Sequence, residues 1–368
     1  MSRPISSRIL VIRRRYLGDL VLVGPVLSNL RLHFPDAHLA LLVDEKYGDV
    51  QANNPHLDEI LCIPQRQQGE TYLSYIFRWV KLLQKLRKQF DAVYDITQNN
   101  RIANMVRWIG ARHRVSYRTE GSSHSRDQRY DVLAVWPQQG HFSCHSVDLC
   151  LRLLEADGIP IATRETKLYV PTPDAIEARK YLQSALSDAY NEQPESTFVL
   201  VHPGARLSAR RWSMENFAAV CDAIHRQSQA KVILLAGPGE QTLIQEVQAA
   251  MHTKAHVLEA PSSVPKLAAL LQEADLFVCN DSGPMHVAAA VGTPVVALFG
   301  AQSTTLWHPV GDRNTVLQPS LPCVNCLFPG VCQPPNDYKM KCIQRISAEE
   351  VIAAVLACVN RLETGIDR

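Results

Sequence analysis

Short apolar runs alternate with stretches of helical spacing along the first half of the chain. Runs typical of buried strands occupy 8–14, 38–44, 59–64 and 90–96. Between the first two, apolar residues recur three and four positions apart from Val23 to Leu30, the spacing of one helix face. This alternation predicts an α/β fold with a parallel sheet covered by helices on both faces.

The same alternation begins again after a proline-rich stretch near Pro171–Pro173. Strand-like runs occupy 197–204, 231–237, 256–260, 275–281 and 293–300, the last clear strand, and a final helix is expected over 348–362. We therefore predict two doubly wound, Rossmann-like domains that face each other across a cleft. The predicted boundaries are 1–172, 173–346 and a C-terminal helix at 347–368. In such sheets ligands bind at the carboxyl ends of strands, where strand order reverses.

Composition and charge limit the classes of function and partner that the chain could have. The 368 residues suffice for two domains, and a net charge of +2 gives no sign of a nucleic-acid partner. Between positions 101 and 129, however, seven arginines accompany only two acids, which suits an anionic partner or an anionic membrane surface. Solvated helix faces are the alternative interpretation. Neither a signal peptide nor an apolar run of about 18 residues is evident, so we expect a cytoplasmic protein.

The segment from Asn280 to His286 joins a predicted strand end to a helix start. Free backbone N–H groups and the helix dipole would form an anion site there. Ser282 adds a hydroxyl donor, Gly283 allows a phosphate to approach the backbone, and His286 lies one turn further on. Asp281 would accept from a ribose or sugar hydroxyl, or cap the helix. An ordinary capped turn with a core histidine is the alternative.

Two glycine turns follow other strand runs of the second half. At the first, Gly204, Ala205 and Arg206 would contact phosphates, and Arg210 would stabilise charge that develops on a diphosphate leaving group. At the second, Glu240 would hold a ribose diol. The alternatives are a surface loop with solvated arginines and a plain turn whose acid favours a helix start.

Asp19 follows the first strand run and is the only acid among the first 35 residues. It is a candidate general base for an acceptor hydroxyl, and a helix N-cap is the alternative. Three strand-end turns in one half and a candidate base in the other are the layout of a GT-B glycosyltransferase, with donor and acceptor domains apart.

Together these motifs resemble glycosyltransferase family 9, the bacterial lipopolysaccharide heptosyltransferases, over nearly the whole chain. The resemblance makes Asp19 the catalytic base and Arg210 the residue before the family's basic-Trp pair. It implies donor contacts for Glu240 and for the segment from Asp281 to His286. It further implies acceptor contacts for Asp95, Gln98, Arg101 and His145.

The resemblance also implies an inverting transfer without a required cofactor or metal, from an ADP-sugar, ADP-heptose in the first instance. The acceptor would be an anionic glycolipid of the lipopolysaccharide core, reached through peripheral contact with the inner membrane. The same fold with a different nucleotide sugar, a nucleotide-sugar-binding relative without catalysis, and a sugar-nucleotide epimerase are the alternatives.

Four cysteines cluster near the C-terminus, and a CxxC pair begins the cluster. Four thiolates could hold a tetrahedral zinc. The later spacings are irregular, so reduced packing cysteines are the preferred interpretation and a structural zinc the alternative. The cluster comprises Cys323, Cys326, Cys332 and Cys342.

Overall fold

The computed structural model describes residues 7–121, 124–138, 143–190, 197–321 and 341–364. The chain divides into two compact units, Met1–Tyr169 and Val170–Arg368. Each unit has its own sheet and its own hydrophobic core. The assignment of one unit to the acceptor and the other to the donor stays a prediction.

The first unit is built on a parallel sheet of six strands in the order β3-β2-β1-β4-β5-β6. Chain order runs outward from β1 on one side and from β4 on the other, so strand order reverses between these two. Its elements are β1 (Arg8–Ile12), α1 (Leu17–Leu22), α2 (Gly24–His33), β2 (His38–Asp44), β3 (Glu59–Ile63), α3 (Tyr72–Leu86), β4 (Ala92–Asp95), α4 (Asn100–Ile109), β5 (His113–Thr119), β6 (Val132–Trp136) and α5 (Ser146–Ala156).

The second unit repeats the plan with the order β12-β11-β10-β7-β8-β9, again all parallel. Strand order reverses between β7 and β10. Its elements are α6 (Thr172–Tyr190), β7 (Phe198–His202), α7 (Met214–Gln227), β8 (Lys231–Ala236), α8 (Gln241–Ala250), β9 (His256–Glu259), α9 (Val264–Gln272), β10 (Leu276–Asn280), α10 (Gly283–Ala290), β11 (Val295–Leu298), α11 (Thr304–Trp307), β12 (Thr315–Leu317) and α12 (Ala348–Glu363).

The central strands are apolar except at their ends because helices cover both faces of each sheet. In β1 and β10 nearly every residue is buried, and the same holds for β7 and β8. The final helix α12 buries Val351, Val355 and Val359 in the core of the second unit. Ser347 and Glu350 fix its start through a reciprocal capping box.

The predicted α/β class, with two doubly wound parallel sheets, is confirmed. One short strand without a prediction follows 293–300, the last clear strand of the sequence: the edge strand β12 pairs with β11. Three elements between β4 and α5 also had no prediction, namely α4, β5 and β6. Within the described residues, no helix is long and apolar enough to cross a bilayer.

Candidate functional site

Three loops of the second unit meet at the carboxyl ends of β7, β8 and β10. Asn280, the last residue of β10, is fully buried and ties two of them together. Its side-chain amide donates to Pro203 O at 2.8 Å, and its carbonyl oxygen accepts from Trp212 N at 3.1 Å. Asn280 therefore holds both ends of the loop after β7 against the carboxyl end of β10, at Pro203 and at Trp212 of the Arg211-Trp212 pair.

Glu240 lies at the N-terminus of α8 and is held by two donors. Its Oε2 lies 2.8 Å from Nε2 of His202 and accepts from Gly237 N at 3.0 Å. Burial alone would raise the pKa of the Glu240 carboxyl, but the His202 imidazole and the Gly237 N–H outweigh it and lower that pKa. Glu240 is therefore a fixed, ionised acceptor in a half-buried position.

Glycine at two positions makes room for this carboxylate. A Cβ at Gly204 would overlap the carboxyl group of Glu240, and a Cβ at Gly237 would overlap its Oε2. Neither glycine has a positive φ, so close approach and not backbone conformation requires them.

Replacement of Gly204 by alanine is therefore expected to displace Glu240 from His202. Overpacking of this kind costs about 1–3 kcal/mol, and we expect ADP affinity to fall at least about tenfold. Calorimetric titration with ADP and thermal unfolding measure the two effects. In a Gly204→Ala/Glu240→Ala double variant the overlap is gone, so its stability should match that of Glu240→Ala alone. Unchanged thermal stability of Gly204→Ala would refute this packing argument, and unchanged ADP affinity would contradict a donor contact of Glu240.

Arg210 and Asp281 form the second pair of the site. Nη1 of Arg210 lies 2.9 Å from Oδ2 of Asp281, which is almost fully buried. Burial raises the pKa of the Asp281 carboxyl, and the Arg210 guanidinium offsets part of that rise. Asp281 thus holds the guanidinium in place, whereas Ser282 and not Asp281 takes the N-cap position of α10.

Two donors beside this pair are buried without a hydrogen-bond partner among the described residues. They are Nε of Arg210 and the hydroxyl of Ser282 at the N-terminus of α10. Buried donors are normally satisfied, so these two indicate a place for an acceptor group of a ligand. Gly283 and His286 follow in the first turns of α10.

The remaining residues predicted for the donor lie in the loop after β7. Ala205 is buried, and its carbonyl oxygen accepts from Nε of Arg211 at 2.8 Å. Arg211 therefore helps to hold this loop, and its charge contributes to the lowered pKa of Glu240. Arg206 is exposed beside it. The predicted donor contacts of Ala205 and Arg206 stay predictions.

In the first unit, Asp19 lies at the third position of α1, directly beyond β1. Its Oδ2 accepts from Tyr16 N at 2.7 Å, and its Oδ1 pairs with Nη2 of Arg13. Arg13 also donates through Nη1 to Ile96 O at 3.0 Å, beyond the end of β4. Both side chains of the pair remain slightly exposed, 15% for Arg13 and 14% for Asp19. Asp19 is thus both a cap and an ionic group reachable from solvent.

Asp95, the last residue of β4, is completely buried near this pair. Thr97 N donates to its Oδ1 at 2.8 Å, and the hydroxyl of Tyr130 donates to its Oδ2. Burial raises the pKa of Asp95 to about 6, although Tyr130, Thr97 and two arginines oppose the rise. Its predicted contact with the acceptor stays a prediction, and its complete burial leaves no exposed atom for such a contact in this structure.

The pKa of Asp95 makes stability depend on pH. The usual pKa is 3.8, so the folded state keeps this proton up to about pH 6 while the unfolded state loses it near pH 4. Stability is therefore lost as pH rises through about 6, by up to about 3 kcal/mol over two pKa units. Between pH 5 and pH 8 the part of this loss that remains is about 1.4 kcal/mol. Urea denaturation at these two pH values should show that difference in the wild type and a smaller one in Asp95→Asn.

Asp131 provides the matched control for this measurement. The hydrogen bond from Arg114 lowers the pKa of its carboxyl, so it stays ionised between pH 5 and pH 8. Asp131→Asn should therefore leave the pH difference unchanged. An Asp95→Asn protein with the full wild-type difference would rule out Asp95 as its source.

The other residues predicted for the acceptor follow β4 or begin α5. Gln98 has a φ of 56°, an uncommon conformation for a side chain other than glycine, and Arg101 is exposed in the first turn of α4. His145 caps α5, where its Nδ1 accepts from Val147 N at 3.2 Å. These positions lie at the carboxyl edge of the sheet or beside it, and their acceptor roles stay predictions.

The candidate zinc cluster cannot be placed. Cys323, Cys326 and Cys332 lie outside the described residues, whereas Cys342 is described and buried. Among the residues that are described, no three His, Cys, Asp or Glu side chains are arranged to hold a metal ion.

Sequence reasoning missed the partners that fix the candidate groups. Arg13 is one of three consecutive arginines after β1, and only the structure selects it as the partner of Asp19. The contact between His202 and Glu240 joins residues 38 positions apart. The sequence held one signal for the pair of Arg13 and Asp19: a cation after β1 that stands six residues before an acid.

Comparison with known proteins agrees with this arrangement. The family model for glycosyltransferase family 9 (heptosyltransferase) matches residues 79–329. Lipopolysaccharide heptosyltransferase 3 of Escherichia coli K12 is 30% identical over 300 residues, which cover 80% of this chain and 83% of that protein.

Solved structures share the fold. A glycosyltransferase family 9 protein from Veillonella parvula superposes with a TM-score of 0.80 at 23% identity, over 98% of this chain and 99% of that one. E. coli ADP-heptose lps heptosyltransferase II gives 0.73 at 19% identity, over 97% and 99%. The iron-containing dodecameric glycosyltransferase TibC of enterotoxigenic E. coli gives 0.57 at 12% identity, over 97% and 77%.

These matches cover both units of the chain, and the family match includes the strand-end loops at β7, β8 and β10. The chain therefore belongs to glycosyltransferase family 9, the heptosyltransferase family, and is a glycosyltransferase.

Proposed function

We propose that this enzyme transfers heptose from ADP-heptose to a hydroxyl group of a lipopolysaccharide core acceptor. The observation that carries the proposal is the set of paired side chains where strand order reverses in the second sheet, between β7 and β10. There His202 fixes Glu240, Asp281 fixes Arg210, and Ser282 offers an unpartnered hydroxyl among the described residues. The names of the similar proteins, a lipopolysaccharide heptosyltransferase and an ADP-heptose heptosyltransferase, support the choice of donor and acceptor.

The donor would bind to the second unit. Ser282 and the backbone N–H groups at Gly283 would contact the diphosphate at the start of α10. Gly204, Ala205 and Arg206 would contact it from the loop after β7, and His286 would lie close by. Oε1 of Glu240 has no hydrogen bond among the described residues, and we assign it to a hydroxyl of the donor.

Arg210 would act on the leaving group. As the bond from the anomeric carbon to the diphosphate breaks, negative charge grows on the phosphate oxygens. A guanidinium that is already held in place by Asp281 stabilises that charge without having to reorganise. The free Nε of Arg210 supplies a further donor for this purpose.

Asp19 would act on the acceptor. Its carboxylate takes the proton from the attacking hydroxyl as the new bond forms, while Arg13 and the Tyr16 N–H hold it in orientation. Attack on the face opposite the leaving ADP inverts the anomeric centre. Gln98, Arg101 and His145 would contact the anionic glycolipid. Asp95 would act indirectly, through the attraction between its carboxylate and Arg13. The acceptor lipid would bring the enzyme to the inner membrane from the cytoplasmic side.

A donor screen tests the proposal. The full chain is incubated with ADP-heptose, ADP-glucose or UDP-N-acetylglucosamine, each with and without a heptose-containing core oligosaccharide, and release of the nucleoside diphosphate is followed. ADP release that requires both ADP-heptose and the acceptor supports the proposal. Faster release from another nucleotide sugar would replace the donor, and acceptor-independent change of the sugar would indicate an epimerase.

We further propose that the transfer needs no metal ion. The charges that a divalent cation would neutralise are assigned to Arg210 and to the N-terminus of α10. We expect the initial rate to be unchanged after incubation with EDTA and removal of the chelate. Loss of activity that added magnesium, manganese or iron restores would contradict the proposal. Slow loss that only zinc restores would instead point to the C-terminal cysteines as a structural site.

A further inference from the structure

Helix α3 buries only one side against the first unit. Leu82 and Leu86 are buried in the core, and Trp79 and Leu83 pack partly against it. On the adjoining side five large apolar side chains are exposed, which is unusual for a protein surface. At 100° per residue these five span an arc of about 140° on the helix. This apolar face of α3 consists of Tyr72, Leu73, Ile76, Phe77 and Val80.

Only basic and neutral polar residues flank the apolar face along the helix. α3 contains no aspartate or glutamate, and Nζ of Lys81 lies 4.5 Å from the centre of the Phe77 ring. Arg78 pairs with Glu45 and Glu70, so its charge is locally compensated. Lys81, in contrast, has no carboxylate partner among the described residues.

A further exposed ring lies beside the C-terminal end of α3. Trp108 of α4 is 39% exposed, and the guanidinium of Arg87 lies 5.6 Å from the centre of its ring. Arg87 and Lys88, which follow α3 directly, have no ion pair with any carboxylate that the structure describes. Exposed aromatic rings next to unpaired cations are the composition of elements that lie in the interface of a lipid bilayer.

We propose that the apolar face of α3, with Lys81, Arg87 and Lys88 at its rim, binds the surface of a bilayer that contains anionic phospholipids. The apolar side chains would enter the boundary between headgroups and acyl chains, and the three cations would meet lipid phosphates. Charge complementarity favours this occupant over a second copy of the chain, because two such surfaces would bring like charges together. The inference does not depend on the identity of the donor sugar.

Co-sedimentation of the full chain with vesicles tests this surface. Vesicles of phosphatidylglycerol and phosphatidylethanolamine in equal parts are compared with vesicles of phosphatidylcholine. Leu73 and Phe77, 80% and 58% exposed, are replaced together by serine. The matched control replaces Ile176 and Tyr181, an exposed apolar pair on α6 of the other unit, by serine. Because all four positions are exposed, thermal unfolding should be nearly unchanged in both variants.

The wild type and the Ile176→Ser/Tyr181→Ser control should bind the anionic vesicles and bind phosphatidylcholine far more weakly. Leu73→Ser/Phe77→Ser should lower the partition coefficient at least about tenfold. Lys81→Gln/Arg87→Gln should lower it by roughly fivefold per charge, and high salt should weaken wild-type binding. Full binding by Leu73→Ser/Phe77→Ser, or equal binding to both vesicle types, would overturn the proposal. So would a wild-type dimer in solution that this variant dissociates, because a second copy would then cover the face.

Discussion

Replacement of Asp19 by asparagine is expected to lower kcat at least about 100-fold, the scale of a lost general base. The amide cannot take the acceptor proton, but its oxygen can still accept from Tyr16 N and keep the start of α1. The loss of charge opposite Arg13 should cost about 1–3 kcal/mol of stability, because a hydrogen bond to a charged group is broken. Single-turnover measurements with saturating donor and acceptor separate the chemical step from product release.

Donor binding provides the control for this prediction. Asp19 lies in the first unit and is assigned to the acceptor hydroxyl, whereas the proposed ADP contacts belong to residues of the second unit, so ADP affinity should stay within about twofold of the wild type. Arg13→Lys keeps a cation beside Asp19 and should reduce turnover much less than Asp19→Asn. If Asp19→Asn turns over at nearly the wild-type rate while chemistry limits that rate, Asp19 is only a helix cap.

Replacement of Arg210 by alanine is expected to slow transfer more than it weakens donor binding. A cation that acts on growing leaving-group charge stabilises the transition state preferentially, and one such group contributes about 100-fold or more. The variant also leaves Asp281 buried without its cation, so the pKa of that carboxyl should rise further. Comparison of kcat, KM and calorimetric ADP affinity measures the effect.

Arg210→Lys separates the two parts of this role. A lysine keeps the charge beside Asp281 but offers no planar fork, so it should restore stability and only part of kcat. Arg179, an exposed arginine that pairs with Glu273 on the same unit, is the neutral control. An equal loss of donor affinity and kcat/KM with an unchanged kcat would make Arg210 a binding residue only.

The central strands could be predicted because burial on both faces leaves a continuous apolar run. The outer part of the first sheet could not be predicted, because β5 carries His113, Arg114 and Arg118 and has only a short apolar run. Arg114 pairs with Asp131, the residue directly before the neighbouring strand β6. Helix α4 did have a signal, the helical spacing from Ile102 to Ile109. The three-residue strand β12 is too short for any periodicity.

The candidate site could also be predicted only in part. Glycine turns after strands identified its loops, because backbone geometry is local. The contacts that fix its charges are not local: Arg210 meets Asp281 because β7 and β10 are neighbours in the sheet. Arg13 reaches Ile96 because β1 lies beside β4. Strand order decides these contacts, and the sequence alone does not give strand order.

The product formed on the acceptor tests the proposed function most directly. The full chain is incubated with ADP-heptose and a heptose-containing lipopolysaccharide core acceptor, and the acceptor is analysed by intact mass spectrometry beside the Asp19→Asn protein. We predict a gain of one heptosyl residue with the wild type, in step with ADP release, and almost none with Asp19→Asn. ADP release without any gain in acceptor mass, or an equal gain with Asp19→Asn, would contradict a transfer in which Asp19 is the base.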